Sequence, residues 1–134
     1  EIKREGYYDL EIVDTLLSKS SATELFPITF MFIRVRMRDR YFSRDAIFRI
    51  MDFIKGSMGK NHVTAELSKG YFVVIMYKTD LAAAEKTREE MLSKWEAFSK
   101  GAELETVLRE VVSTENPRNT FYHEKDRLLD LANW

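Results

Sequence analysis

A chain of 134 residues is long enough for one domain with its own core, and a net charge of −1 means the molecule as a whole is not built to attract a polyanion. The absence of cysteine excludes disulfides, thiolate metal sites and cysteine nucleophiles. No apolar run, the longest being Tyr71–Tyr77, approaches the roughly 20 residues needed to span a bilayer, and no signal-peptide pattern opens the chain.

Leu10, Val13, Leu16 and Leu17 recur at helical spacing, so residues 7–24 are expected to form a helix. The opening EIKREGYYDL reads as mid-helix, as in a piece of a longer protein. Its apolar positions either continue a coiled coil from upstream, which implies parallel dimerisation, or pack on the domain that follows. Pro27 marks the break, giving an N-terminal helix at 1–26 and a single domain at 27–134. PITFMFIRV is a continuous apolar and β-branched run, the pattern of a central strand covered on both faces. SRDAIFRIMDFIKGSMG puts Ala46, Ile47, Ile50, Met51 and Ile54 on one helical face, with Ser43 as N-cap and Gly56 and Gly59 to end it. HVTAEL alternates as a short strand, SKG supplies the turn, and YFVVIMY is a second buried strand, so the pair is expected to be a hairpin.

Asp80 is placed to cap a helix from Leu81 to about Lys100, with Ala84, Met91, Trp95 and Phe98 inward and Gly101 closing it. ELETVLREVV is ambiguous. Leu104, Val107, Leu108, Val111 and Val112 fit a helical period, yet the segment is short and β-branched near its end. NPRN reads as a loop, and Phe121–Trp134 as a last helix with Leu128, Leu129 and Ala132 on one side. If 103–113 is a strand, the order from residue 27 is β-α-β-β-α-β. That is the ferredoxin-like α+β order, an antiparallel sheet with two helices on one face, here with an extra helix at each terminus. Such an order does not name a function.

The stretch FMFIRVRMRDR carries arginine at alternate positions: Arg34, Arg36, Arg38 and Arg40. Alternate residues of a strand share a face. One reading makes Arg34 and Arg36, with Lys69, an anion pocket for a nucleotide phosphate or a partner's carboxylates. The other pairs the arginines internally with acids such as Asp39, Asp45 and Asp52. Arg34 lies deepest in the apolar run, where an unpaired cation is costly. His62 and His123 lie far apart and off any metal spacing, so surface or capping roles are expected of them. Phe30, Phe32, Tyr71, Phe72 and Tyr77 read as core. Their rival use is base stacking, because KGYFVVIMY partly matches an RNA-recognition motif. It lacks the small residue between the aromatics, which puts the third-strand rings out of phase.

The segment GKNHVTAELSKGYFVVIMYKTDLAAAEKTREEM resembles the heart of a GGDEF domain, the fold of diguanylate cyclases. Ser68-Lys69-Gly70-Tyr71-Phe72 stand in the place of the G-G-D-E-F signature. Gly59 and His62 stand where the family has the Arg and Asp of its product-inhibition site. ELFPITFMFIRVR resembles the family's first strand, which puts Arg34 and Arg36 at two positions normally read as Asp. The similarity runs over about residues 10–134 and sets 103–113 as a strand and the end of the chain as a helix, against the helical period of ELETVLREVV.

The resemblance implies a catalytically inactive member. Active cyclases hold two Mg²⁺ ions on acids of the first strand and the hairpin, and Mg²⁺ needs hard oxygen ligands. Arg34 and Tyr71 cannot supply them, and two unit charges about 4 Å apart at an effective dielectric near 20 interact by roughly 4 kcal/mol. No catalytic residue, metal ligand or cofactor is therefore expected. The implied role is regulatory, in a bacterial signalling protein, through a protein partner or homodimer. By resemblance, such domains occur in receptors for biofilm polysaccharide secretion and in inactive cyclase–phosphodiesterase tandems. The alternatives kept are a nucleotide receptor using the arginines and a single-stranded RNA module. Nucleic acid is disfavoured by the charge, the expected location is cytoplasmic, and membrane attachment would come only through a parent protein.

Overall fold

The apolar run after Pro27 is the second-from-edge strand of a five-stranded sheet in the computed structural model, which describes residues 8–19, 25–37, 43–59, 62–68, 70–98 and 102–130. The elements follow as β1 (Tyr8–Asp9), α1 (Leu10–Ser18), β2 (Ile28–Met37), α2 (Arg44–Gly56), β3 (His62–Ser68), β4 (Tyr71–Met76), α3 (Leu81–Phe98), β5 (Ala102–Val111) and α4 (Pro117–Asp130). The sheet order is β1-β3-β4-β2-β5, with β1 parallel to β3 and every other pairing antiparallel. From β2 to β5 the order is the expected α+β arrangement, β-α-β-β-α-β.

Strand periodicity sorts the core into two layers. Phe30 and Phe32 of β2 and Tyr71, Val73 and Ile75 of β4 pack with Val13 and Leu17 of α1 and Phe121 and Leu128 of α4. Met31, Ile33 and Val35, with Phe72, Val74 and Met76, pack on the other face against α2 and α3. All six residues of β4 are buried, which is why its sequence shows no polar alternation. The ferredoxin-like pair of helices, α2 and α3, does lie on one face. The terminal helices cover the other.

Two expectations are corrected in extent. The N-terminal helix is Leu10–Ser18 rather than 7–24, because Tyr8 and Asp9 pair with Ala65 and Glu66 as a strand and Asp9 Oδ1 accepts the Ile12 amide at 3.2 Å, capping the helix. Within the described residues the helix therefore packs on the sheet; residues 1–7 and 20–24 lie outside them. The last helix starts at Pro117 inside the supposed loop NPRN. Asn116 Oδ1 accepts the Asn119 amide at 3.1 Å, and proline suits a first helical turn. Leu128 is buried on it, whereas Leu129 is 47% exposed, and Ala132 lies outside the described residues. The strand expected over 103–113 is present as β5, Ala102–Val111, despite the helical period of ELETVLREVV. Leu104 and Leu108 reach one core and Val107 and Val111 the other, so a strand apolar on both faces imitates helical spacing.

The caps at Ser43 and Asp80 form as expected, Ser43 Oγ accepting from Ala46 N at 3.0 Å and Asp80 Oδ1 from Ala83 N at 2.9 Å. A polar clasp not read from sequence ties α1 to α4. Arg118 Nε and Tyr122 OH donate to Asp14 Oδ1 at 2.7 and 2.9 Å. The bond from Tyr122 and then that from Arg118 hold the Asp14 carboxyl below its usual range. Glu115 is lowered by the Val112 amide and then Arg109, and Glu124 by Arg127.

Two outcomes are expected. Depressed carboxylates contribute stability above their ordinary range that is lost as the pH falls through their folded values. Thermal unfolding should therefore move to lower temperature between about pH 5 and pH 2, and Asp14→Asn should shrink that acid-induced shift. Phe121→Ala, emptying a fully buried ring that stacks on Phe32 at 5.8 Å, should cost about 3–5 kcal/mol in denaturant unfolding.

Candidate functional site

Strands β2 and β3 run in the same direction, since each is antiparallel to β4. Their carboxyl ends therefore meet at one end of the sheet. Arg34 lies directly across from Tyr71 on β4 and from Glu105 on β5. The turn from β3 to β4 passes through Gly70, whose φ of 79° is left-handed and natural to glycine. The Gly70 carbonyl accepts the Val35 amide at 2.8 Å, which pins the turn to the end of β2. Thus Arg34, Arg36, Gly70 and Tyr71 are brought together, with Ser68 exposed at the end of β3. Lys69 lies outside the described residues, as do Arg38 and Arg40.

The two arginines fare differently. Arg36 is exposed and its Nε forms an ion pair with Glu105. Glu105, an internal partner that the sequence did not suggest, is a strand residue distant in sequence; Asp39, expected as a partner with Asp45 and Asp52, lies outside the described residues. Arg34 is half-buried beyond Phe32 and forms no hydrogen bond or ion pair with another described residue. Its charge is felt by Tyr71. Burial pushes the Tyr71 hydroxyl well above the usual tyrosine range, and Arg34 pulls against that shift. Asp126 and Glu124 of α4 push it the same way as burial. The hydroxyl, kept protonated, donates to the Lys125 carbonyl at 3.3 Å. Tyr71 is thereby a structural tie between the hairpin and α4. Phe72 points to the opposite face and is fully buried in the α2–α3 core.

Gly59 and His62 sit at the other end of the sheet, where His62 pairs with Met76. A Cβ on Gly59 would lie 4.0 Å from His62 Nε2. Both line a cavity of about 440 Å³ with Tyr8, Lys55, Met58, Val63 and Thr64. His62 Nδ1 is buried with no hydrogen-bond partner among the described residues, so the expected surface role fits poorly, whereas His123 is exposed on α4. A bidentate contact that sequence reading missed holds the rim of the hairpin: Arg44 at the start of α2 bonds both oxygens of Glu66 at 3.0–3.2 Å. The pair is separated in sequence and becomes visible only once α2 and β3 are packed.

Among the described residues, no group of three or more His, Asp or Glu side chains is placed to hold a metal ion. Phe30, Phe32, Tyr71 and Phe72 are each at most 2% exposed, so these rings are core and offer no platform for bases. No described helix is long and apolar enough to cross a membrane.

No protein-family model matches the chain, and no curated protein matches it. Solved structures do. The GGDEF domain of FimX from Pseudomonas aeruginosa superposes with a TM-score of 0.74 at 12% identity, over 95% of this chain and 90% of that one. A DGC protein from Thermotoga maritima gives 0.71 at 16% identity, over 94% and 96%. The diguanylate cyclase SiaD of Pseudomonas aeruginosa, solved in complex with its activator SiaC, gives 0.72 at 10% identity, over 91% of this chain and 54% of that one.

Gly70→Ala should destabilise by about 1–2 kcal/mol, because an alanine resists the left-handed backbone, while Ser68→Ala on the exposed side of the same turn should change little. Denaturant midpoints of the two variants, compared at equal slope, check this. The chain has the fold of GGDEF domains.

Proposed function

We propose that this chain is a non-catalytic GGDEF-like regulatory domain of a bacterial signalling protein, acting through contacts with a protein partner or a second copy. The observation that carries the reading is the half-buried Arg34 at the carboxyl end of β2, flanked by Arg36 and facing Tyr71 across the strand pair. By the family resemblance these positions would hold metal-binding acids. A guanidinium there repels a divalent ion, and a tyrosine kept protonated by burial is a poor ligand for one. The left-handed φ of 79° at Gly70 is itself a reason for glycine in this turn, whether or not a phosphate approaches it.

The SiaD structure, which holds an activator protein, supports the idea that proteins containing this fold are engaged by protein partners. A role in biofilm polysaccharide control rests on resemblance to such receptors. A second reading has one observation in its favour: Arg34, without a hydrogen bond or ion pair to another described residue, is placed to receive an anionic group.

Incubation with GTP and Mg²⁺ or Mn²⁺ should give no cyclic dinucleotide; formation of any would overturn the non-catalytic reading. Calorimetry with GTP, ATP and cyclic di-GMP separates the second reading. Heat of binding that Arg34→Ala abolishes supports an arginine pocket, and binding untouched by that change rules it out.

A further inference from the structure

The end of the sheet opposite Arg34 holds polar side chains that the fold leaves unused. β1 covers β3 only at Ala65 and Glu66, so among the described residues no strand lies beside the edge from His62 to Thr64. His62 and Thr64 share the face of β3 that looks towards α2, since their partners on β4, Met76 and Val74, belong to the α2–α3 core. Lys55 in the last turn of α2, with Met58 and Gly59 after it, stands across from them. Tyr8 and Val63 complete the lining of the cavity of about 440 Å³, a size that suits a small molecule.

Thr64 is 4% exposed, yet its hydroxyl forms no hydrogen bond with another described residue. The His62 ring likewise forms none, and its Nδ1 is enclosed. An enclosed N–H without an acceptor is rarer in proteins than an enclosed lone pair without a donor, so the neutral ring keeps its proton on Nε2. Nε2 is the nitrogen turned to Gly59 on the cavity wall, 4.0 Å from where a Cβ would stand. The cavity thus collects three donors, the His62 Nε2–H, the Thr64 hydroxyl and the Lys55 ammonium. No Asp or Glu is among the described residues that line it, and Met58, Val63 and the Tyr8 ring supply apolar wall.

We propose that this cavity binds a small organic carboxylate. The three donors receive its two oxygens, and Met58, Val63 and Tyr8 cover its apolar body. A single permanent cation matches a single negative charge. Phosphate groups, by contrast, are typically held by arginine forks or by rows of backbone amides, and neither lines this cavity. By the family resemblance, Gly59 and His62 stand at the product-inhibition site, but Gly59 brings no cation and His62 no carboxylate, so a cyclic dinucleotide is not the ligand expected. The site lies at the far end of the sheet from Arg34 and is independent of whether the domain makes cyclic dinucleotide.

Benzoate, followed by backbone amide shifts of the folded chain, tests this. The amides of Lys55, Gly59, His62 and Thr64 should move together and saturate with a Kd of about a millimolar. Benzamide, which has the same shape without the charge, should bind about tenfold more weakly or not at all, and inorganic phosphate should leave these amides in place. Lys55→Met should weaken benzoate by about tenfold, and the near-isosteric Thr64→Val by about threefold. A titration to about 20 mM that moves none of these amides would overturn the site, as would shifts centred on another part of the surface. Equal binding of benzamide, or displacement of benzoate from these amides by cyclic di-GMP, would overturn the ligand class. The shift map on the unaltered chain decides even where a variant fails to fold, and no outcome of it alters the GTP assay.

Discussion

Everything else in the domain is arranged around β2. It is hydrogen-bonded on both sides, to β4 and to β5, and Ile28 to Ile33 are wholly buried. A strand in that position must carry apolar side chains on both faces, and each face then requires its own helical layer. Phe30 and Phe32 call for α1 and α4, and Met31 and Ile33 call for α2 and α3. The same geometry decides where chemistry is available. Only where β2 leaves the core, from Arg34 onward, can a polar group stand beside the turn between β3 and β4.

That end of the sheet has been made into a structural joint. The turn is held to β2 through the Gly70 carbonyl, and Tyr71 reaches from the turn to the backbone of α4. Arg36 is balanced by Glu105 on the neighbouring strand. The Tyr71 hydroxyl feels both signs, burial, Asp126 and Glu124 pushing its titration up while Arg34 draws it down. Cations and a phenol kept protonated by burial thus stand together at the carboxyl end of β2. On this account the domain's remaining surfaces, rather than a metal site, do its work.

Much of the architecture was legible because burial on both faces leaves a plain signal. The runs of β2 and β4 could be read directly, and so could the caps at Ser43 and Asp80, where one side-chain oxygen meets one free amide. The same two-sided burial made β5 illegible from period alone, since valines and leucines bound for opposite faces fell at helical spacing. Boundaries at the termini were misread where the deciding interaction was distant. β1 exists because of Ala65 and Glu66. At the candidate site, Arg34 and Tyr71 were named from sequence, but Glu105 was not. Its role depends on strand register, which composition does not carry. The Asp14 clasp with Arg118 and Tyr122 joins the two ends of the chain and had no local signal at all.

The central claim is that the carboxyl end of β2 does not gather a divalent cation. Paramagnetic broadening of backbone amide signals by Mn²⁺ in the presence of GTP tests it at the residues concerned. The account expects Arg34, Gly70 and Tyr71 to broaden no more than the exposed face of α3. Selective broadening centred on those three residues would contradict it.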